Sequence, residues 1–297
     1  MSSEVLLTGA DGFVGRHVVS ALARLGARVR RWTYGSRHRG EVQGDIRDPG
    51  LCAAAVAGVQ AVVHCAGVIN ARDPAMFHSI NVQGSELLGR AAVSARVERF
   101  VFVSSSDVVF QPTGRYGASK AAAEAALSRL DLLDLRRIRP TVIYGPGDRK
   151  NVWAMIALAR RCPLIYPLPA PGAGLRQPIW VEDLARALAL MAVRPDGGPP
   201  LRHLAGPDSL SVRRMVEEIL AALRLRRRIV ALPVASGLGW IGRAGLSGLL
   251  VEHAEQLLSF EMDKAYRDEA GQWTADDGPR VTFSEGIRRW LDAEQMR

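Results

Sequence analysis

The sequence predicts an α/β fold, a doubly wound parallel sheet with helices on both faces, on three observations. A short apolar run, EVLLT at 4–8, leads through the glycine-spaced turn Gly9-Ala10-Asp11-Gly12-Phe13-Val14-Gly15 into the amphipathic stretch RHVVSALARLG. A continuous apolar run, QAVVHCAGV at 60–68, ends in small residues. A third, RFVFV at 99–103, closes on Ser104-Ser105-Ser106 and is followed by a helix-forming segment from Tyr116. Strands buried on both faces read as unbroken apolar runs, and their alternation with helical stretches indicates parallel βαβ units.

Composition sets the class. The 297 residues, 48% hydrophobic and 23% charged, describe a soluble globular chain and not a disordered one. Cys52, Cys65 and Cys162 are odd in number and far apart, which gives neither a disulfide framework nor a metal-ligand spacing. Met1 runs into the first strand without a leader, so a cytoplasmic enzyme is expected. The net charge is +9, but the arginines are scattered, with no aromatic interleaving and no zinc pattern. Nucleic acid is therefore not an expected partner.

The first strand, loop and helix form a dinucleotide-binding opening. Glycines let the backbone turn tightly and approach a pyrophosphate, and the helix start offers free N–H groups to its oxygens. The second chemical feature is Tyr116-Gly117-Ala118-Ser119-Lys120. Four residues apart on a helix, Tyr116 and Lys120 share one face. A cation beside a phenol stabilises the phenolate and lowers a pKa that is normally about 10. A serine hydroxyl aimed at the same point completes a proton-handling site for a carbonyl or an alcohol.

The spacing of Gly9, Gly12 and Gly15, with Thr8 ahead of it and Tyr116-x-x-x-Lys120 downstream, resembles the extended short-chain dehydrogenase/reductases. Within them it is similar to the NAD-dependent epimerase/dehydratase group, over most of the chain. The resemblance implies a Rossmann sheet that holds NAD or NADP, with Gly9, Asp11, Gly12, Phe13, Val14 and Gly15 at the pyrophosphate. After strand two (ARVRRW, 27–32), Thr33 takes the place of an acidic residue that binds the ribose of NAD, and Arg37 lies near it. That exchange favours NADP slightly. Asp45 and Ile46 fall at the adenine, and Cys65, Ala66 and Gly67 beside the pyrophosphate and nicotinamide ribose. Asn81, at the opening of a helix toward Ala95, supports the site. By the family pattern Ser106 is the catalytic serine, with Ser105 as the fallback because the loop to Tyr116 is short. Tyr116 is the proton donor or acceptor, and Lys120 lowers its pKa and binds the nicotinamide ribose. Asp107 is followed by Val108, so half of the Asp-Glu pair of 4,6-dehydratases is absent.

Further along, the string from Arg139 to Gly147 is a specific family marker, and its Tyr144 is counted among the cofactor contacts. Asn151 and Arg176, with Ser105, Ser106 and Asp107, are the expected substrate contacts, Arg176 at a nucleotide diphosphate. Asp183 is the expected cap of a helix, LRHLAG at 201–206 the last sheet strand, and Ser211 a helix start through Leu223. The apolar stretch in 226–250 is interrupted by arginine and five glycines, and reads as substrate-domain helices and not a membrane span. A Rossmann domain of 1–148 plus about 177–206 and a smaller C-terminal substrate domain of 149–176 plus 207–297 follow. The implied activity is hydride and proton transfer on a nucleotide sugar, as 4-keto reductase or C4 epimerase, in a homodimer formed through 76–95 and 116–130. The alternatives are a hydroxysteroid, aldehyde or ketone substrate, and a non-catalytic NADP sensor.

Overall fold

The computed structural model describes residues 3–35, 42–71, 73–110, 113–169, 171–195, 200–232, 263–266, 278 and 280–295. In chain order they form β1 (Glu4–Thr8), α1 (Phe13–Arg24), β2 (Arg28–Thr33), β3 (Val42–Gln43), α2 (Pro49–Val56) and β4 (Ala61–His64). A π-wound segment, Phe77–Gly84, runs into α3 (Ser85–Ser94), followed by β5 (Arg99–Val103), α4 (Arg115–Leu127) and β6 (Leu135–Pro140). Next come β7 (Ile143–Tyr144), α5 (Asn151–Arg161), β8 (Ile165–Pro169), β9 (Leu175–Arg176) and β10 (Ile179–Trp180). The chain ends with α6 (Val181–Val193), β11 (Leu201–Leu204), β12 (Leu210–Ser211), α7 (Val212–Ala222), β13 (Arg228–Leu232) and α8 (Phe283–Gln295).

Two compact units result. The first takes its described residues from Met1–Pro140, Val181–Leu204 and Gly278. Its seven-stranded sheet has the order β3-β2-β1-β4-β5-β6-β11, every neighbour parallel. The strand order reverses between β1 and β4, where a doubly wound sheet opens a crevice at its carboxyl ends. Thr8 stands level with both Trp32 and His64, so the ends of β1, β2 and β4 are flush at that crevice. Leu6, Val62, Phe100 and Phe102 leave the sheet to pack with Cys52, Leu88 and Leu127, all at most 1% exposed. α6 packs on α1. Buried Arg136 of β6 holds its last turn and exit, donating to the carbonyls of Met191, Arg194 and Pro195.

The second unit lies within Thr141–Trp180, Ala205–Arg267 and Pro279–Arg297. It contains the strand pairs β7–β10, β9–β12 and β8–β13, and a core built on Ile156, Met215, Ile219, Phe283 and Trp290. Ser211 caps α7 by accepting the Arg214 N–H, as expected.

Three boundaries differ from expectation. The first unit stops at Pro140 and not 148, because β7 pairs with β10 in the second unit. The helix expected to open at Asn81 starts at Phe77, after Asp73 has accepted the Ala75 N–H, so Asn81 is inside it. Asp183 is in the first turn of α6 and not at its cap, because the helix begins directly after β10.

Candidate functional site

The crevice holds a cavity of about 340 Å³, walled by the β1–α1 turn, the ends of β2 and β4, and the loop after β3. Gly9, Asp11, Gly12, Thr33, Asp45, Ile46, Cys65, Ala66 and Gly67, residues expected at a cofactor, are brought together in its lining. Two glycines set its shape. Gly9 has φ +68°, and a Cβ there would meet the Ala66 nitrogen at 2.9 Å. A Cβ on Gly15 would come to 2.1 Å from the Gly9 carbonyl, so only glycine lets α1 start this close to the turn. Phe13 and Val14 are the first residues of α1, where backbone N–H groups have no intrahelical acceptor. A tight turn and a helix start fit a dinucleotide pyrophosphate. Arg37 lies outside the described residues.

The loop after β3 contributes a residue the sequence reading missed. Asp45 accepts from Arg47 at its backbone N–H and Nε, both 2.9 Å, and at Nη2, 2.6 Å. Nη1 of Arg47 donates to Ser79 Oγ at 2.8 Å. The guanidinium holds the Asp45 carboxyl below the usual carboxylate range. Arg47 therefore orients the carboxylate at one wall of the cavity. Its signal was the spacing Asp45-x-Arg47 in a turn, where short-range ion pairs form readily.

The proton-handling residues share the first unit. Lys120 is 4% exposed, and its Nζ lies 4.2 Å from the centre of the Phe102 ring. Burial pushes its pKa down to about 8, against the opposing influence of Cys65 and Glu124. The Tyr116 phenol shares a hydrogen bond with Ser105. The expectation was Ser106, but the turn Ser106–Val108 follows β5 at once, and Ser105 both caps that turn and reaches the phenol. Gly117 lets α4 approach the turn, since a Cβ there would stand 2.7 Å from the Asp107 carbonyl. Burial first, then Asp107, push the Tyr116 phenol up to about 12, which the Ser105 bond only partly opposes. The lowering expected from Lys120 is not among the influences on the phenol, and Tyr116 is a protonated donor at neutral pH. Cys65, pushed up to about 12 by burial, is no thiolate.

Asn81 is a frame for these residues. Its carboxamide accepts the Val68 N–H at 2.8 Å and donates to the Val68 carbonyl and Ser119 Oγ, each at 2.9 Å. Ser119 donates to the Tyr116 carbonyl at 2.7 Å. Tyr144 is a correction: fully buried in the second unit, it packs on Trp180 and Phe283 and donates to the Thr282 carbonyl. Its side chain has no surface to offer a cofactor. Arg176 is 6% exposed and donates to the Leu175 carbonyl. Asn151 is exposed at the first turn of α5, whose N–H groups are held by Asp148.

A glycine cradle at a sheet crevice beside a Ser–Tyr–Lys set is one observation; the sequence family is the second. Residues 5–205 match the model of the NAD dependent epimerase/dehydratase family. The chain belongs to that family. As an epimerase/dehydratase-family enzyme it is an oxidoreductase or epimerase of the extended short-chain dehydrogenase/reductase type, and its cofactor is a nicotinamide dinucleotide. The "Ceramide reductase" of Caulobacter vibrioides is 35% identical over 199 residues, 64% of this chain and 61% of that protein. The "2-alkyl-3-oxoalkanoate reductase" of Stenotrophomonas maltophilia is 26% identical over 96% of this chain and 98% of its own. Among solved structures, MoeE5 in complex with UDP-glucose and NAD superposes with a TM-score of 0.76 at 23% identity, covering 99% of each chain. At that identity the likeness is one of fold.

Proposed function

We propose that this protein is an NAD(P)H-dependent reductase that converts a ketone to a secondary alcohol on a substrate without a nucleotide. The observation that carries the reading is the Ser105–Tyr116 pair with Lys120 buried on the same helix. A reduced nicotinamide dinucleotide held in the cavity lined by Gly9, Gly12 and Thr33 would supply the hydride for the new C–H bond. Tyr116 gives its proton to the carbonyl oxygen, and Ser105 fixes the phenol toward that oxygen. The Lys120 ammonium stabilises the phenolate left behind until solvent returns a proton. A phenol held protonated at neutral pH suits the reducing direction.

Two features support a substrate without a nucleotide. Arg176, expected at a diphosphate, has almost no exposed surface and donates inside its own unit. The relatives described above are named for reductases, and neither name carries a nucleotide. The second reading is a nucleotide-sugar 4-keto reductase or C4 epimerase, favoured by the UDP-glucose of MoeE5 and by exposed Asn151. For the cofactor we favour NADPH, because buried Thr33 and not a carboxylate ends β2 at the cavity. A cytoplasmic homodimer belongs to the same reading. Its contact would be the face of the π-wound segment and α4, where Phe77, Val82 and Ala118 line a shallow hollow.

The test has two stages. Bound nicotinamide is extracted from purified protein, and the emptied protein is titrated with NADH and NADPH. Loose, exchangeable binding with NADPH preferred supports the reductase, whereas a stoichiometric, non-exchanging NAD overturns it in favour of an epimerase. Long-chain 3-oxo substrates are then assayed against 4-keto sugar nucleotides, and turnover of only the latter overturns the substrate class.

A further inference from the structure

His64, at the end of β4, is 1% exposed and stands between the two halves of the site. Its Nδ1 is 2.7 Å from Thr8 Oγ1, and its Nε2 is 2.8 Å from Ser85 Oγ. The neighbours decide where its proton sits. The Ser85 hydroxyl has one proton, and it goes to the Asn81 carbonyl at 2.6 Å. Ser85 Oγ can therefore only accept from the imidazole, which places the proton on Nε2. Nδ1 is left with its lone pair and accepts from the Thr8 hydroxyl. Thr8 Oγ1 in turn accepts the Ala66 N–H at 3.2 Å.

The result is one directed chain of hydrogen bonds. It starts at Ala66 in the cavity wall and passes through Thr8, His64 and Ser85 to Asn81. It ends there on the Asn81 backbone carbonyl. The carboxamide of the same residue makes a separate set, accepting the Val68 N–H and donating to the Val68 carbonyl and to Ser119, which donates to the Tyr116 carbonyl. Both ring nitrogens are used, and it is the Thr8 bond that needs the neutral form: Nε2–H can donate to Ser85 in either charge state, but Nδ1 accepts only while it carries no proton. A positive ring would have two donors facing one acceptor and one hydroxyl that is already a donor. Phe100 and Phe102 pack against the imidazole, and Phe102 also carries the Lys120 ammonium.

We propose that His64 is a positioning residue, a neutral Nε2–H strut that locks the dinucleotide loop at Thr8 and Ala66 to the Asn81 frame that carries Ser119 and Tyr116. Burial, with Lys120 nearby, pushes its pKa down to about 3, in keeping with a ring that stays neutral wherever the protein is folded. The proposal rests on the dinucleotide site and not on the identity of the ketone.

The test uses the full chain labelled with ¹⁵N-histidine, the His64 signals being assigned by their loss in His64→Gln. The expected result is an Nε2–H neutral tautomer that does not titrate between pH 8 and about 5.5. Substitution then separates the two ends. His64→Gln keeps a donor toward Ser85 but no acceptor for Thr8, and NADPH affinity is expected to fall about tenfold with Val68 amide protection kept. His64→Asn keeps the acceptor for Thr8 and loses Ser85, so Val68 exchange speeds up about tenfold and NADPH affinity stays within about twofold. Thr8→Val and Ser85→Ala cut the same two bonds without touching the ring, and serve if the His64 variants do not fold. An Nδ1–H or cationic ring overturns the proposal. So do folded variants that lower only the melting temperature and leave both readouts within about twofold of the parent. Neither readout uses a ketone, so failure here is separable from failure of the reductase reading.

Discussion

Tyr116 and Lys120 divide the work of one site, and the burial that shapes each can be tested on each. Tyr116→Phe removes the proton donor together with its hydrogen bond to Ser105. Turnover is expected to fall by about 10²–10⁴ while NADPH affinity, read by fluorescence titration, stays unchanged. Lys120 is held at about 8 in the fold against 10.5 when free. Between those values the unfolded chain binds more protons than the folded one, so stability rises with pH across that window. The cost of burying the ammonium is present in full below pH 8 and fades as pH climbs toward 10.5. Lys120→Met should therefore raise the stability at pH 7 by an amount on the order of a few kcal/mol, and the melting temperature with it, and raise both progressively less as the pH is taken from 8 to 10.5. Thermal scans at a series of pH values check this, and a lower melting temperature at pH 7 would contradict it. At this scale the sequence was partly legible. Tyr116-x-x-x-Lys120 could be read because one helix fixes the spacing. The choice between Ser105 and Ser106 could not, because it depends on how the turn Ser106–Val108 leaves β5. His64 was also hidden, since the ties that give it a role run to Thr8 and Ser85, distant in sequence, whereas Arg47 left only its local spacing from Asp45.

Elements are positioned by a few side chains and a few missing ones. A Cβ on Gly15 would sit inside contact distance of the Gly9 carbonyl, a backbone atom that cannot move without breaking the turn. Gly15→Ala should lower the melting temperature and abolish NADPH binding together, which titration and thermal melts will show. On the second unit, Asp148 is 4% exposed and accepts N–H groups at the start of α5, from Lys150 to Trp153. Asp148→Ala should destabilise by about 1–2 kcal/mol in urea titration, and Asp148→Asn by less. The strands and α1 could be read because their period and glycine spacing are local. The π-wound segment could not: Asn81 within it bonds Val68 and Ser119, which are distant in sequence, and no local spacing records those bonds.

For the molecule as a whole, the first unit is assembled from separated parts of the chain. β11 closes the sheet beside β6 only after β7 to β10 have been made, and α6 covers α1 only then. Arg136 links these late parts to the early ones. Arg136→Met would leave the carbonyls of Met191, Arg194 and Pro195 without their donor and should cost at least about 2 kcal/mol in chemical denaturation. A change of less than about 0.5 kcal/mol would show that these bonds are dispensable. The sequence indicated an interleaved chain through its resemblance, yet it set the first crossing at 148. The pairing of Ile143 and Tyr144 with β10 is a long-range contact, and it moves the crossing to Pro140.

This order of assembly has a consequence in time. The residues that line the cavity lie between Thr8 and Ile80, and Lys120 follows soon after. The edge strand ends at Leu204, so a ribosome adding ~5–20 residues per second needs roughly 4–17 s more to complete it. From Lys120 onward the nascent chain already carries every residue that lines the cavity, and Arg136, once made, has no α6 to hold until Val181–Val193 follow. The lining of the dinucleotide cavity is thus complete in sequence well before the strand that closes its sheet has been made.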